Sequence, residues 1–543
     1  MSGRALAGAV ALCVATAALC VVRPPLLFDK DAVHYLALGA ALARGDGYAS
    51  GMHFVHDLLQ PPLYPLLVAL LMKLGLPVVV AGVAVMLGAQ AATVVALVGI
   101  HRAAWGRGAG YTALAAALST NVALGAHLTL EPLFVCALAW GFRLAVASLR
   151  RDRLAPAAGA GLALGLGLLT RSEVVLTIAV VGLLLLAWPS PWRRRLGRAA
   201  LFGAALGSVA LPYGLWMRAR LGSFEVLPKV RYNLALPSLV AHMELPPEAG
   251  EDAALRLATL GLMPDHRTFV LDHAFAHPEF DPRTVLPQRG AARGERALAF
   301  AAHSIERVLA DGALRTGFLN PLALGLMALA LWSARARGSD GGRRRIAFAL
   351  AGAAALHALP AIAAGDDFQE RYLCATLLFS TPLVGGGAAA LADLLARRMR
   401  PRVAAALVAA TLALVSAGFT LRLASRLGGG PSRWPRMRAL EAACRRDLPA
   451  GARVLDTHPR AAFLRGATSI ALPFARSDEE LLDYLAAWHV GYALLDAREL
   501  RGTGNPVDAA LLDPRRWPRG WRLIEELSPG ADPIRIVALD GAR

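Results

Sequence analysis

The chain has 543 residues, of which 56% are hydrophobic, with a formal charge of +18. That much apolar surface exceeds what a soluble core can hide, so the surplus must face lipid. The basic residues stand in short clusters between apolar runs rather than on one continuous face, which excludes nucleic acid as a partner.

In chain order, the apolar stretch after Arg4 up to Val22 reads as a retained anchor rather than a cleaved signal, because the topology that follows needs it. Further runs long enough to cross about 30 Å of hydrocarbon fall near 77–100, 111–128, 131–149, 155–170, 174–190, 199–217, 320–334, 346–363, 373–392 and 403–421. With 5–22 they make about eleven spans, and an odd count places the two termini on opposite sides. The segment PPLYPLLVALLMKLG at 61–75 is too short to cross after its prolines and is expected to lie in the interface. It falls within a first outer loop running from 23 to 76. FDKDAVHYLALGAALARGDGY, at 28–48 of that loop, reads as an amphipathic helix on the membrane surface.

Charge orients these spans, since cytoplasmic loops collect Lys and Arg. Alternate loops hold nineteen arginines, among them Arg102, Arg107, Arg150, Arg151, Arg343 to Arg345 and Arg397, against Asp152, Asp340 and Asp393 alone. The long opposite loop, 218–319, holds twelve basic and twelve acidic residues. The amino terminus is therefore expected inside, and the 218–319 loop and the C-terminus outside. Beyond about 424 the pattern becomes strand and helix alternation: ARVLDTHP, TSIALPF, GYALLDA and IRIVAL read as strands. SDEELLDYLAAWHV between them is a helix capped by Ser477 with Glu480. The expected division is a membrane domain over 1–423 and an extracytoplasmic α/β domain over 424–543, joined by GGGPSRWP at 428–435.

Chemistry is expected where acids gather at the outer interface, since ionisable groups near lipid are costly. Asp29 and Asp31 follow the first span, and Asp31 is also placed to cap the helix after it. HDLLQPPLYP, at 56–65, restrains the chain through its prolines. Glu131 precedes Pro132 in LTLEPLF, where it can also complement a helix dipole. Arg171 and Glu173 in LTRSE, and the QERYL residues Glu370, Arg371 and Tyr372, are either interfacial anchors or internal ion pairs.

These motifs, taken in order, carry a resemblance. DxxxY from Asp31 to Tyr35, then GDGY, PPLYP, LEPLF, LTR and ERYL resemble the GT-C superfamily of membrane glycosyltransferases over roughly residues 1–421. Within it the chain is similar to the family-39 group, which includes protein O-mannosyltransferases and the aminoarabinose transferase acting on lipid A. The resemblance implies a polytopic α-helical membrane fold with a C-terminal α/β domain outside. It also implies transfer of a sugar from a polyprenyl-phosphate donor to a lipid, glycan or protein acceptor at the outer face of the cell membrane.

By the same resemblance Asp31 is the catalytic carboxylate, with Asp29 its rival because Ala32 stands where the family often has Glu. Gln60 stands where Lys or His commonly opens the Pro-Pro helix, and His56, Tyr35, Glu370 and Tyr372 join the substrate-binding set. Arg171 and Arg371 are implied for the lipid phosphate, and Glu131 for orienting acceptor or sugar. One carboxylate suffices for a single, inverting displacement, because phosphate already leaves well. The sequence requires no certain cofactor and leaves a divalent metal open. The competing readings are a transporter or lipid flippase, which would place charge at mid-membrane, and a non-catalytic protein of envelope assembly with the same fold.

Overall fold

The computed structural model describes residues 30–52, 57–117, 130–222, 224–228, 320–336, 341–359, 373–428 and 433–539, the last without 457–458, 476, 502–506 and 528–531, and a few scattered positions before 30. The chain forms two compact units. One contains 61–226 and 292–429; the other contains 28–60, 227–291 and 430–543.

The first unit is helical. Its described elements are α2 (Leu63–Lys73), α3 (Val78–Trp105), α4 (Ala109–Ala117), α5 (Glu131–Arg151), α6 (Ala155–Leu168) and α7 (Val174–Ala187), then α8 (Trp192–Leu221), α9 (Pro321–Ala336), α10 (Gly341–Leu356), α11 (Cys374–Ala396) and α12 (Pro401–Gly428). Four of them, α3, α5, α8 and α11, are long and apolar enough to cross a membrane. α2, α6, α7, α9 and α12 contain shorter apolar stretches. The 11 residues of α2 span about 16 Å, which agrees with the expectation of a segment too short to cross. The expected first span at 5–22 and the 218–319 loop lie almost wholly outside the described residues, as does the second half of 111–128.

Without a hydrophobic force between helices in lipid, close packing depends on small residues. α11 shows this: 89% of its apolar window is buried, against 22% for α8. Its run Gly385, Gly386 and Gly387 admits three neighbours, since a Cβ on each would strike Thr112, Trp105 and the Leu326 carbonyl respectively. Gly161 and Gly165 on α6, in GxxxG spacing, likewise bring the backbone of α8 close at Phe202 and Leu206. α8 turns Leu211 and Leu215 outward, 55% and 50% exposed, as a lipid-facing helix would.

One end of this unit gathers the arginine-rich loops. Asp152, in the left-handed conformation after α5, is gripped by Arg194 and Arg198 at the start of α8. Arg107, after α3, reaches Asp393 on α11 at 3.3 Å. Arg343 lies beside Gly106 and within electrostatic reach of Arg150. The clusters that the charge rule assigns to one side thus converge in space.

The second unit contains α1 (Lys30–Arg44), a 3-10 turn at Asp57–Leu59, α13 (Arg433–Asp447), β1 (Arg453–Asp456), α14 (Pro459–Arg465), β2 (Thr468–Ala471), α15 (Asp478–Ala487), β3 (Tyr492–Asp496), α16 (Ala497–Leu500), α17 (Asp508–Leu512), β4 (Trp521–Leu527) and β5 (Ile534–Leu539). The strands form one sheet in the order β2-β1-β3-β5-β4, parallel through β2, β1 and β3 and antiparallel through β5 and β4. Alternation splits each strand between two cores. Leu455, Ala493, Leu495 and Val537 face α15 through Leu481, Tyr484 and Leu485. Val454, Leu494, Ile534 and Ile536 face α13 and α14 through Leu440, Cys444 and Ala461. Ser477 Oγ accepts from Glu480 N at 3.2 Å, the cap read from the sequence.

Two sequence readings need correction, and one strand was not read. α1 is not amphipathic: Ala32 to Ala41 are buried throughout, and the helix packs against α14. A helix apolar on all sides needs cover on all sides, which an interface cannot give. The stretch 428–435 is not all linker, because α12 runs to Gly428 and α13 begins at Arg433, with Pro435 tolerated in its first turn. β4 was hidden because WRLIEEL is an edge strand with no apolar alternation.

Candidate functional site

The candidate residues fall into two groups, one in each unit. In the helical unit Glu131 opens α5 and is 4% exposed. Arg171 sits in the turn between α6 and α7. Its Nη1 donates to Glu131 Oε1 at 2.6 Å and its Nη2 to Glu173 Oε1 at 2.6 Å, while Nε reaches Glu173 Oε1 at 3.1 Å. The guanidinium also lies over the Phe134 ring, 5.7 Å from its centroid, one helical turn after Glu131. Burial works against the Arg171 charge, but Glu173 and Glu131 more than offset it and hold its pKa well above the ordinary arginine value. The internal ion pair read from LTRSE is present, and it has a second carboxylate.

Two other motifs meet the same end of this unit. Leu63 N, opening α2 after Pro61 and Pro62, donates to Leu169 O at 3.0 Å, two residues before Arg171. Cys374, at the start of α11 directly after the ERYL motif, is within electrostatic reach of Arg171, Glu131 and Glu173. PPLYP, LEPLF, LTR and the exit from ERYL, far apart in sequence, therefore converge. The 21 residues of α5 put this end about 30 Å from the arginine-rich loop at Arg151.

In the second unit Asp31 stands in the first turn of α1, where a carboxylate complements the helix dipole, and it is half-buried. Tyr35, one turn on, is 3% exposed. Between them His34, 1% exposed, brings its Nε2 within 2.6 Å of Asp57 Oδ1. That same oxygen accepts from Ser50 Oγ at 2.6 Å, and Oδ2 accepts from Ser50 N at 2.9 Å. Burial raises the Asp57 carboxyl, but His34 and Ser50 outweigh it and hold it below the usual carboxylate range. On the other side of the ring His34 Nδ1 lies 3.4 Å from Gln60 Nε2. Gln60 Oε1 is buried without a hydrogen-bond partner, while the Gln60 carbonyl accepts from Tyr48 OH at 2.7 Å.

Asp29, His56, Glu370, Arg371 and Tyr372 lie outside the described residues. His34, Ser50 and Asp57 were missed in the sequence. His34 stands inside a helix and Ser50 and Asp57 in the segment after it, all ordinary residue types, and only their approach across up to 23 residues marks them. Among the described residues no three His, Cys, Asp or Glu side chains gather as a metal-binding set.

The sequence matches no protein-family profile, and no curated protein sequence resembles it significantly. Solved structures do. ArnT from Cupriavidus metallidurans, solved bound to undecaprenyl phosphate, is 14% identical with 98% of each chain covered and a TM-score of 0.47. The arabinofuranosyltransferase AftD from Mycobacteria, in its R1389S mutant, is 16% identical with a TM-score of 0.51; all of this chain is covered, and it spans 42% of that one. This last likeness is one of fold over the whole chain.

Proposed function

We propose that the protein is a membrane glycosyltransferase that moves a sugar from a polyprenyl-phosphate donor to an acceptor hydroxyl on the extracytoplasmic face. The observation that carries this reading is the convergence of PPLYP, LEPLF, LTR and Cys374, the residue after ERYL, at one end of the helical unit. It occurs on a fold shared with an arabinofuranosyltransferase. About eleven crossings set the arginine-rich end inside and this end outside.

The chemistry needs little machinery. The acceptor oxygen attacks the anomeric carbon, the carbon–oxygen bond to phosphate breaks, and the bonding pair leaves with the lipid phosphate, inverting the centre. Asp31 takes the proton of the acceptor hydroxyl, a role general bases fill with gains of about 10² to 10⁴. Asp29 is the rival for that role. Arg371 stabilises the departing phosphate, for which a guanidinium fork suits better than an ammonium. Arg171 joins it at the phosphate, and Glu131, at 2.6 Å, fixes the direction of its guanidinium. Gln60 differs from the Lys or His of the family in what it offers: its unpartnered Oε1 accepts a hydroxyl of sugar or acceptor rather than gripping a phosphate. Tyr35, His56, Glu370 and Tyr372 complete the substrate-binding set. The lipid chain contributes binding through the bilayer itself.

Purified protein in lipid nanodiscs, given polyprenyl-phosphate hexoses and pentoses, should release free polyprenyl phosphate in an acceptor-dependent manner. Transfer should be lost with Arg371→Ala. A protein that moves the intact lipid-linked sugar across the bilayer without cleaving it would establish the flippase reading instead. Thiol labelling of intact cells tests the orientation. A cysteine at the exposed position of Glu479 should react, and one at the exposed position of Arg398 should react only after permeabilisation.

A further inference from the structure

His34 occupies an unusual place for a histidine. It is 1% exposed within a helix whose residues 32–41 are otherwise apolar and buried. Both ring nitrogens are engaged, Nε2 with Asp57 at 2.6 Å and Nδ1 with Gln60 at 3.4 Å, so no nitrogen is left to meet a substrate. Asp57 is just as fully used, accepting from His34, Ser50 Oγ and Ser50 N. Stability alone does not call for such a cluster, because an apolar pair of similar volume serves a buried site as well or better. A saturated polar cluster instead selects one arrangement of the chain, since any shift leaves several buried groups unsatisfied at once. The shift it prevents here is movement of α1 against Ser50, Asp57 and Gln60. Asp31 lies one helical turn from His34 on the same helix.

We propose that the His34–Asp57 contact, with Ser50 and Gln60, is a positioning device for the transfer reaction. It locks α1 to Ser50, Asp57 and Gln60 so that Asp31 is presented in one fixed place. The inference rests on Asp31 being the base. His34 and Asp57 act through that placement and touch no substrate themselves. A base held about 1 Å out of place costs up to about a hundredfold in rate, while substrate binding is left largely intact.

The test compares kcat, KM for the polyprenyl-phosphate sugar and Tm in wild type, His34→Phe, His34→Gln, Asp57→Leu, the double variant His34→Phe with Asp57→Leu, and Asp31→Asn. Each apolar single variant should lower kcat about 10- to 100-fold with KM unchanged. His34→Gln keeps a donor near the Nε2 position and should recover most of the loss. The decisive arm is the double variant, in which neither a buried charge nor an unmatched imidazole remains. Its Tm should return toward wild type while its kcat stays low and no worse than the lower single variant. Recovery of kcat together with Tm would reduce the cluster to a packing role and overturn the proposal. So would a raised KM with normal kcat. Normal kcat in all the His34 and Asp57 variants beside a dead Asp31→Asn removes this proposal alone, whereas an active, folded Asp31→Asn removes the base assignment and this proposal with it.

Discussion

Two buried polar clusters carry the candidate chemistry, and they are built on opposite principles. At Arg171 one guanidinium serves two carboxylates, Glu131 and Glu173. At Asp57 one carboxylate serves three donors, and the hydrogen bonds rather than the charges are saturated. The contrast fixes what each cluster tolerates. Loss of the central group takes the 2.6 Å contact from Glu131 and from Glu173 in the first cluster, and takes the acceptor from His34 and Ser50 in the second.

The largest effect should follow Arg171→Ala, which strands Glu131 and Glu173 at 2.6 Å contacts they no longer have. Breaking a buried pair from one side costs about 3–5 kcal/mol, so thermal unfolding in detergent should shift strongly. Arg171→Lys should fall between, since an ammonium cannot serve both carboxylates with the same fork. A lowering of lipid binding with Tm unchanged would instead show that the guanidinium is free for phosphate.

Asp57→Ala should come next, at about 1–3 kcal/mol, the cost of unmatched buried donors. Its pH signature is distinctive. The folded carboxyl lies below its unfolded value of 3.8, so its contribution to stability is fully present well above pH 3.8 and fades as pH falls through the folded value. The variant should therefore converge on wild type in acid, and a difference that stays constant down to acid pH would contradict the hydrogen-bonded account. The smallest effect belongs to Gln60→Leu, which removes a carbonyl oxygen that has no partner and a single long contact, 3.4 Å, to His34 Nδ1. Stability should stay within about 1 kcal/mol of wild type, while KM for one substrate rises. Unchanged kinetics would take Gln60 out of the substrate-binding set.

Much of the helical unit was legible because lipid imposes long apolar runs, and the spans read at 77–100, 131–149 and 373–392 correspond to α3, α5 and α11. Which helix lies inside was not legible, since α8 and α11 are both apolar. Only the contacts of Gly385 to Gly387 show that α11 is central. In the second unit the alternating strands β1, β3 and β5 were plain, and the charged edge strand β4 was not. α1 was misread because its Asp and Arg stand at its ends while its middle is apolar all round. For the site, Arg171 and Glu173 could be paired from adjacency. Their link to Glu131 crosses 40 residues, and that of His34 to Asp57 crosses 23, separations at which composition and periodicity are silent.

The measurement that tests the central claim most directly is sugar transfer from a polyprenyl-phosphate donor by purified Asp31→Asn protein, with folding checked in parallel. Asparagine keeps the size of aspartate and most of its value at a helix start but cannot accept the hydroxyl proton. The account predicts a folded protein whose transfer rate is lower by about two to four orders of magnitude, with Asp29→Asn affected less. A folded, fully active Asp31→Asn enzyme would contradict it, and a dead Asp29→Asn enzyme beside it would move the base to Asp29.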